Sequence, residues 1–259
     1  MPDREGPPRL DFPAPGRARI TLDRPRHLNR LHREDLHTLL AHFERLAGDA
    51  SLRVLVLGGH GRVFCAGFNI DELGAGPDSG REDPQLFERM VDALEALPVP
   101  TIARLHGSVY GGATDLALAC DFRIGVTGLE LRMPAAHLGL HYYPSGLARY
   151  VSRLGLQAAK RLFLLAETVP ANTLHALGYL DALVAPEALD AEVERHAAAL
   201  GAGAPLALQG MKQSLNEIAR GAADPQRLRE REARCAASAD LREGLAAFAE
   251  RRAPRFAGR

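Results

Sequence analysis

Long apolar runs are missing from this sequence. The longest, such as residues 162–166, are far too short to cross a bilayer. Residues 1–8 are charged and rich in proline, with no apolar signal segment, so the expectation is a soluble, unprocessed, cytoplasmic protein without a membrane partner. An excess of either charge is missing too. Lysines and arginines number 32 against 32 aspartates and glutamates, which argues against a nucleic acid held by bulk charge but allows a local arginine cluster to grip a phosphate. Cysteine is sparse: Cys65, Cys120 and Cys235 stand far apart and form no CxxC pair, so neither a disulfide framework nor a zinc ribbon is expected. Exact repeats and low-complexity tracts are also absent.

What is present suits a large folded domain. Of the 259 residues, 46% are apolar, enough to bury a substantial core. The first two-thirds alternate short β-branched runs with amphipathic stretches, the pattern of an α/β protein. Strands are expected at 18–22, 54–57, 101–105 and 122–126. Leu36, Leu39, Leu40, Phe43 and Leu46 recur at helical spacing between the first two, and Leu86, Met90, Leu94 and Leu97 between the next two. Beyond Thr168, itself a candidate N-cap, helices are expected at 170–177, 186–200, 205–218, 225–237 and 241–252. The small-residue segment 201–205 is the candidate hinge between a core of residues 1–200 and a helical region of residues 201–259.

Two stretches carry chemistry. Val63-Phe64-Cys65-Ala66-Gly67-Phe68-Asn69-Ile70-Asp71-Glu72-Leu73 follows a strand closely, and a turn at Gly67 can aim the next N–H outward. His106-Gly107-Ser108-Val109-Tyr110-Gly111-Gly112-Ala113-Thr114-Asp115 places a glycine pair at the start of an apolar helix. Unsatisfied N–H groups and the positive end of the helix dipole meet there, which suits a developing oxyanion. Neither GxGxxG nor GK[ST] is present, so the stretch is neither a dinucleotide fingerprint nor a P-loop.

Taken together, the two stretches resemble the enoyl-CoA hydratase/isomerase family, the crotonase superfamily. The resemblance begins at Arg24-Pro25-Arg26-His27-Leu28-Asn29, similar to the family's RPxxxN segment, and runs to Glu243-Gly244-Leu245-Ala246-Ala247-Phe248 and Arg252-Ala253-Pro254-Arg255-Phe256. It implies a crotonase-like ββα spiral core with a helical C-terminal trimerisation region, assembled as a homotrimer or hexamer. It also implies an acyl-CoA thioester substrate and no separate cofactor, since coenzyme A arrives as part of the substrate. By position, the oxyanion donors fall on the N–H groups of Phe68 and Gly112. The coenzyme A contacts fall on Arg26, His27, Leu28, Ala66, Asn69, Ile70 and Asp71. Lys212 and Arg259 can reach phosphates as well, but each is expected to be a solvated surface residue.

The chain departs from the family at its acids. Hydratases use two glutamates; here Asp115 occupies the first position and Ala135, in Met133-Pro134-Ala135-Ala136, the second, where no proton transfer is possible. Asp115 in the first helical turn is favoured by the macrodipole, which is expected to lower its pKa and weaken it as a base. His141, Tyr142 and Tyr143 lie in the reaction-specific segment 138–146. They are either hydrogen-bonding catalysts or, for the tyrosines, packing aromatics with solvated hydroxyls. His137 and His141 are four apart, but nothing completes a metal set. Gly107-Ser108-Val109-Tyr110-Gly111-Gly112-Ala113 and Leu138-Gly139-Leu140-His141-Tyr142 resemble the methylmalonyl-CoA decarboxylase branch, whose active-site tyrosine falls on Tyr142 and whose histidine donor is Phe68 here. The expected activity is an enoyl-CoA hydratase/isomerase-type lyase. Decarboxylation of a malonyl-type thioester, an inactive acyl-CoA binder, and a hydrolase using His141 with Ser145 or Asp115 are the alternatives.

Overall fold

The computed structural model describes residues 5–72 and 83–259. Leu73, at the end of the first chemical stretch, and residues 1–4 of the charged N-terminal segment lie outside them. The chain opens with a hairpin of β1 (Gly6–Ala14) and β2 (Arg17–Asp23), followed by α1 (Arg33–Ala47). Next come β3 (Val54–Gly59), β4 (Val63–Cys65) and α2 (Leu86–Ala96), then β5 (Thr101–Leu105), β6 (Ser108–Tyr110) and α3 (Ala113–Ala119). A third round of β7 (Phe122–Val126), β8 (Glu130–Arg132) and α4 (Pro144–Leu154) leads into α5 (Leu156–Lys160), β9 (Val169–Pro170), α6 (Ala171–Ala176) and β10 (Ala182–Val184). The chain ends in α7 (Leu189–Gly201), α8 (Pro205–Ala219), α9 (Pro225–Ala236) and α10 (Ala239–Glu250).

Two sheets organise these elements. The larger runs β1-β2-β3-β5-β7-β10 and the smaller β4-β6-β8-β9. Three successive rounds therefore lay one strand in the larger sheet, one short strand in the smaller, and then a helix, of which α3 is wholly buried. This α/β spiral is the fold class that the resemblance implied. All pairs are parallel except β1 with β2 and β8 with β9.

Local chemistry explains the elements. His32 caps α1, its backbone N–H donating to the Asp35 carboxylate at 2.8 Å, and Leu36, Leu39, Phe43 and Leu46 face the core. The expected strands 101–105 and 122–126 coincide with β5 and β7. β1 escaped notice because Pro7, Pro8 and Pro13 read as breakers; it is an edge strand, where missing N–H donors are tolerated. β4, β6 and β8 are too short to show alternation. Thr168 does not cap a helix: Val169–Pro170 pairs with β8, and Pro170 is the residue before α6. Residues 186–200 divide into a 3-10 turn, Pro186–Ala188, and α7.

Lys212 is the clearest correction. Only 8% exposed, it donates to the Val99 carbonyl at 2.8 Å and pairs with Asp121 at 2.7 Å, so it fastens α8 to the core instead of standing in solvent. Arg220, at the end of α8, reaches Glu95 on α2 at 3.1 Å. Arg259 is exposed, and its carbonyl accepts from Ala239 and Asp240. Among the described residues no helix is long and apolar enough to cross a membrane.

Candidate active site

The two chemical stretches meet because their strands pair. β4 and β6 are parallel neighbours, Val63 opposite Ser108 and Cys65 opposite Val109, so the turns leaving both strands emerge side by side. Gly67 has φ +88, and a Cβ there would stand 2.8 Å from the Tyr110 carbonyl and 3.0 Å from the Gly112 nitrogen. Only glycine fits. On its other side Phe68 forms a parallel bridge with Leu31: Leu31 N–H donates to Gly67 O at 2.8 Å and Asn69 N–H to Leu31 O at 2.9 Å. In such a bridge the central residue's own N–H points to the opposite edge. The Phe68 N–H therefore turns from Leu31 toward the side where Gly111 and Gly112 open α3. Among the described residues, neither it nor the Gly112 N–H meets an acceptor.

A row of rings lies across this point. A Cβ on Gly112 would be 2.6 Å from Phe87 Cζ, so the Phe87 ring rests directly on that glycine. Its centroid is 6.0 Å from those of Phe68 and of Tyr143, and Tyr143 stacks on Tyr142 at 4.2 Å. Tyr142 in turn touches Phe163 at 5.1 Å.

Asp115, in the first turn of α3, is fully buried. Its Oδ2 accepts from the Tyr143 hydroxyl at 2.5 Å and from Arg149 Nη1 at 2.6 Å, while Oδ1 is buried without a partner. Burial pushes this carboxyl above its ordinary range, and Arg149 and the Tyr143 hydrogen bond offset that only in part. The dipole-based expectation of a lowered value is therefore corrected: removal from water outweighs the helix end. The tyrosines are not solvated either. Tyr142 donates to Tyr143 at 3.2 Å, and burial, with Asp115 nearby, lifts both phenols well above their usual range. His141 is exposed and its Nδ1–H donates to the Tyr142 carbonyl at 2.8 Å. Ala135 is buried at the second acid position. Burial raises the thiols of Cys65 and Cys120 to about 12, which leaves both unreactive.

The segment holding Arg26, His27 and Leu28 abuts the Phe68 turn, since Ala66 N–H donates to Leu28 O at 2.9 Å. Arg26 and His27 are exposed there, and His27 Nδ1 lies 2.8 Å from Glu5. Ile70 is exposed. Asn69 is buried with its amide on Glu72 at 3.1 Å, and Asp71 lies 4.0 Å from Arg30. Asn69 thus has its partner inside the protein, whereas the Asp71 side chain is 84% exposed.

Four residues were given no structural role in the sequence, Asn29 being noted only as the end of the RPxxxN segment. Asn29 braces the segment: its amide nitrogen donates to the carbonyls of His60 at 2.7 Å and Phe64 at 3.0 Å, and its oxygen accepts from Arg24 N–H at 3.0 Å. Phe87 reads as an ordinary helix aromatic. Arg149 reads as a surface charge on α4. Gly146, inside the first turn of α4, was the findable one: a glycine within a helix points to close approach. A Cβ there would stand 2.5 Å from Tyr142, 2.7 Å from Tyr143 and 2.9 Å from Asp115 Oδ2.

A parallel ββα spiral with paired turns over a glycine-opened helix defines the crotonase class of proteins. The sequence matches the enoyl-CoA hydratase/isomerase family over residues 15–259, and the chain belongs to that family. It is 32% identical to the 1,2-epoxyphenylacetyl-CoA isomerase of Escherichia coli, over 93% of this chain and 94% of that one. The same figures hold for the 2,3-dehydroadipyl-CoA hydratase of that organism. The enoyl-CoA hydratase of Bacillus anthracis superposes with a TM-score of 0.91 at 26% identity, covering 98% of this chain and 100% of that one.

Proposed function

We propose that this protein is an acyl-CoA enzyme of the enoyl-CoA hydratase/isomerase type, in which the N–H groups of Phe68 and Gly112 hold the thioester oxygen while it carries enolate charge. The carrying observation is the Leu31–Phe68 bridge, which turns an unpartnered N–H toward the Gly112 end of α3. Two such donors stabilise a developing oxyanion by several kcal/mol, each worth about 3 kcal/mol. With the adenine and pantetheine of coenzyme A along Arg26, His27, Leu28, Ala66, Asn69, Ile70 and Asp71, the acyl group enters between Phe68, Phe87 and Tyr143.

Among the described residues, Asp115 is then the carboxylate that would act at the reacting carbons. Moving a double bond needs a single group that takes a proton from one carbon and returns it to another. Hydration needs in addition an activated water, for which the second glutamate of hydratases has Ala135 in its place. The geometry therefore favours isomerisation over hydration. Relatives that act on hydratable and isomerisable acyl-CoA esters agree with the class, and they lend decarboxylation no support. Assembly into trimers or hexamers in the cytoplasm completes the proposal, with exposed Leu241, Leu245 and Phe248 of α10 available for burial between subunits.

The test is a panel of 2-enoyl, 3-enoyl, saturated and malonyl-type CoA esters followed by mass and by deuterium incorporation. Shift of the double bond with deuterium exchange is the expected result; carbon dioxide or free coenzyme A as the product refutes it. Phe68→Pro removes one donor without breaking the Leu31 bridge, whose bonds use other groups, and should lower kcat about 10²–10³-fold. Unchanged turnover would dismiss the two-amide reading.

A further inference from the structure

Behind Asp115 lies a charge cluster that the proposed chemistry leaves unused. Arg149, on α4, is only 2% exposed. Its Nη1 meets Asp115 at 2.6 Å, its Nε meets Glu95 at 3.1 Å, and its Nη2 meets Asp92 at 2.6 Å. Glu95 is itself held by Arg153 at 2.8 Å and Arg220 at 3.1 Å. Three carboxylates thus face three guanidiniums, and the cluster carries no net charge. Only one oxygen in it is buried without a partner, Asp115 Oδ1.

We propose that Arg149 is a positioning residue for the reaction: pinned from behind by Glu95 and Asp92, its guanidinium holds Asp115 Oδ2 in a fixed ion pair and leaves Oδ1 as the atom that exchanges a proton with substrate. The proposal rests on the reading of Asp115 as the proton-transferring group. Its physical basis is steric as well as electrostatic. An aspartate cannot reach as far as a glutamate, so its orientation has to be fixed, and two directed bonds to one oxygen fix it. The same pair keeps the buried carboxyl ionisable, since burial alone favours its neutral form. The groups facing Asp115 are Arg149 from α4, Tyr143 and Tyr142 from the turn before it, Glu95 from α2, and Tyr150 and Tyr179 beyond the Thr114 backbone. Among these only Arg149 supplies positive charge at contact distance.

Arg149→Gln and Arg149→Lys separate charge from packing. The Asp115 carboxyl carbon, labelled with ¹³C and assigned by its loss in Asp115→Asn, is titrated in the whole protein by NMR, alongside the pH profile of kcat with a 3-enoyl-CoA. R149Q should move the titration midpoint upward and carry the acid limb of kcat with it. The expected loss is about tenfold at pH 6 and less than about threefold at pH 9, with KM unchanged. R149K, which keeps the charge, should keep the midpoint close to the parent's. A midpoint that stays put in R149Q, or a kcat lowered equally at every pH, overturns the proposal. Should R149Q fail to fold, R149K alone decides, because a midpoint displaced upward despite the retained charge also overturns it. Full turnover in D115N removes the reading on which the proposal rests, an outcome that the NMR midpoint distinguishes from failure of the ion pair.

Discussion

Replacing Gly146 by alanine isolates the contact on which the site's order depends. Elsewhere in a helix, Gly→Ala is stabilising by about 1 kcal/mol. Here the new methyl would meet Tyr142 Cε1 at 2.5 Å, Tyr143 Cε2 at 2.7 Å and Asp115 Oδ2 at 2.9 Å. Carbon atoms rest at about 3.5–4.0 Å, so each ring must yield by about 1 Å. Neither has room: Tyr142 is backed by Phe163 at 5.1 Å and Tyr143 by Phe87 at 6.0 Å. Overpacking of this kind costs about 1–3 kcal/mol. Loosening the Tyr143 bond to a charged acceptor adds about 1.5–3 kcal/mol. The penalties outweigh the propensity gain, and a net loss of about 1.5–5 kcal/mol is expected, a fall in Tm of at least about 3 °C for a chain of this size. Displacing Asp115 by a comparable distance should lower kcat about 10²-fold. Gly201→Ala, at the end of α7 with nothing within 4 Å of the added methyl, is the control and should hold or raise Tm. Thermal melts by circular dichroism and turnover with a 3-enoyl-CoA give both numbers. If G146A melts no lower than the parent and turns over as fast, the packing argument is wrong.

Gly112→Ala should lower kcat by driving Phe87 off its seat, and G112A/F87A should recover much of that loss, because the obstructing ring is gone; additive losses in the double variant would refute the clash. Acid stability should depend on Glu95. Burial works to raise this carboxyl, but Arg149, Arg153 and Arg220 outweigh it and hold it below its ordinary value of 4.5. The stability it supplies is complete above the ordinary value and is lost as pH falls through the lowered one. Glu95→Gln should therefore flatten the decline of Tm over that acid window, and an unaltered decline in E95Q would contradict the assignment.

Much of the scaffold was legible, and for a definite reason. β5 and β7 are central strands, buried at all but one position each, and their short apolar runs stay readable although Arg104 and Arg123 interrupt them. α1 and α2 bury one stripe each and show it. The short strands of the smaller sheet gave no signal, because pairing across the spiral, and not local pattern, makes them strands. At the site, the Phe68 and Gly112 turns could be found from glycine placement. Arg149 and Phe87 could not, since their importance arises from what α2 and α4 bring against α3 in space. For Asp115 the helix position was visible, whereas its complete removal from water was a property of the packed fold.

The bridge between Leu31 and Phe68 has a wider consequence. The amide at position 68 is aimed by main-chain pairing alone, so its direction is indifferent to the side chain attached, proline excepted. Under the proposed function a bulky ring there would narrow the way in for the acyl group, and a smaller side chain would widen it, with the amide left as it was. On the proposed reading, substrate choice and reaction chemistry would fall to different parts of one residue, and the first could be retuned while the second is retained.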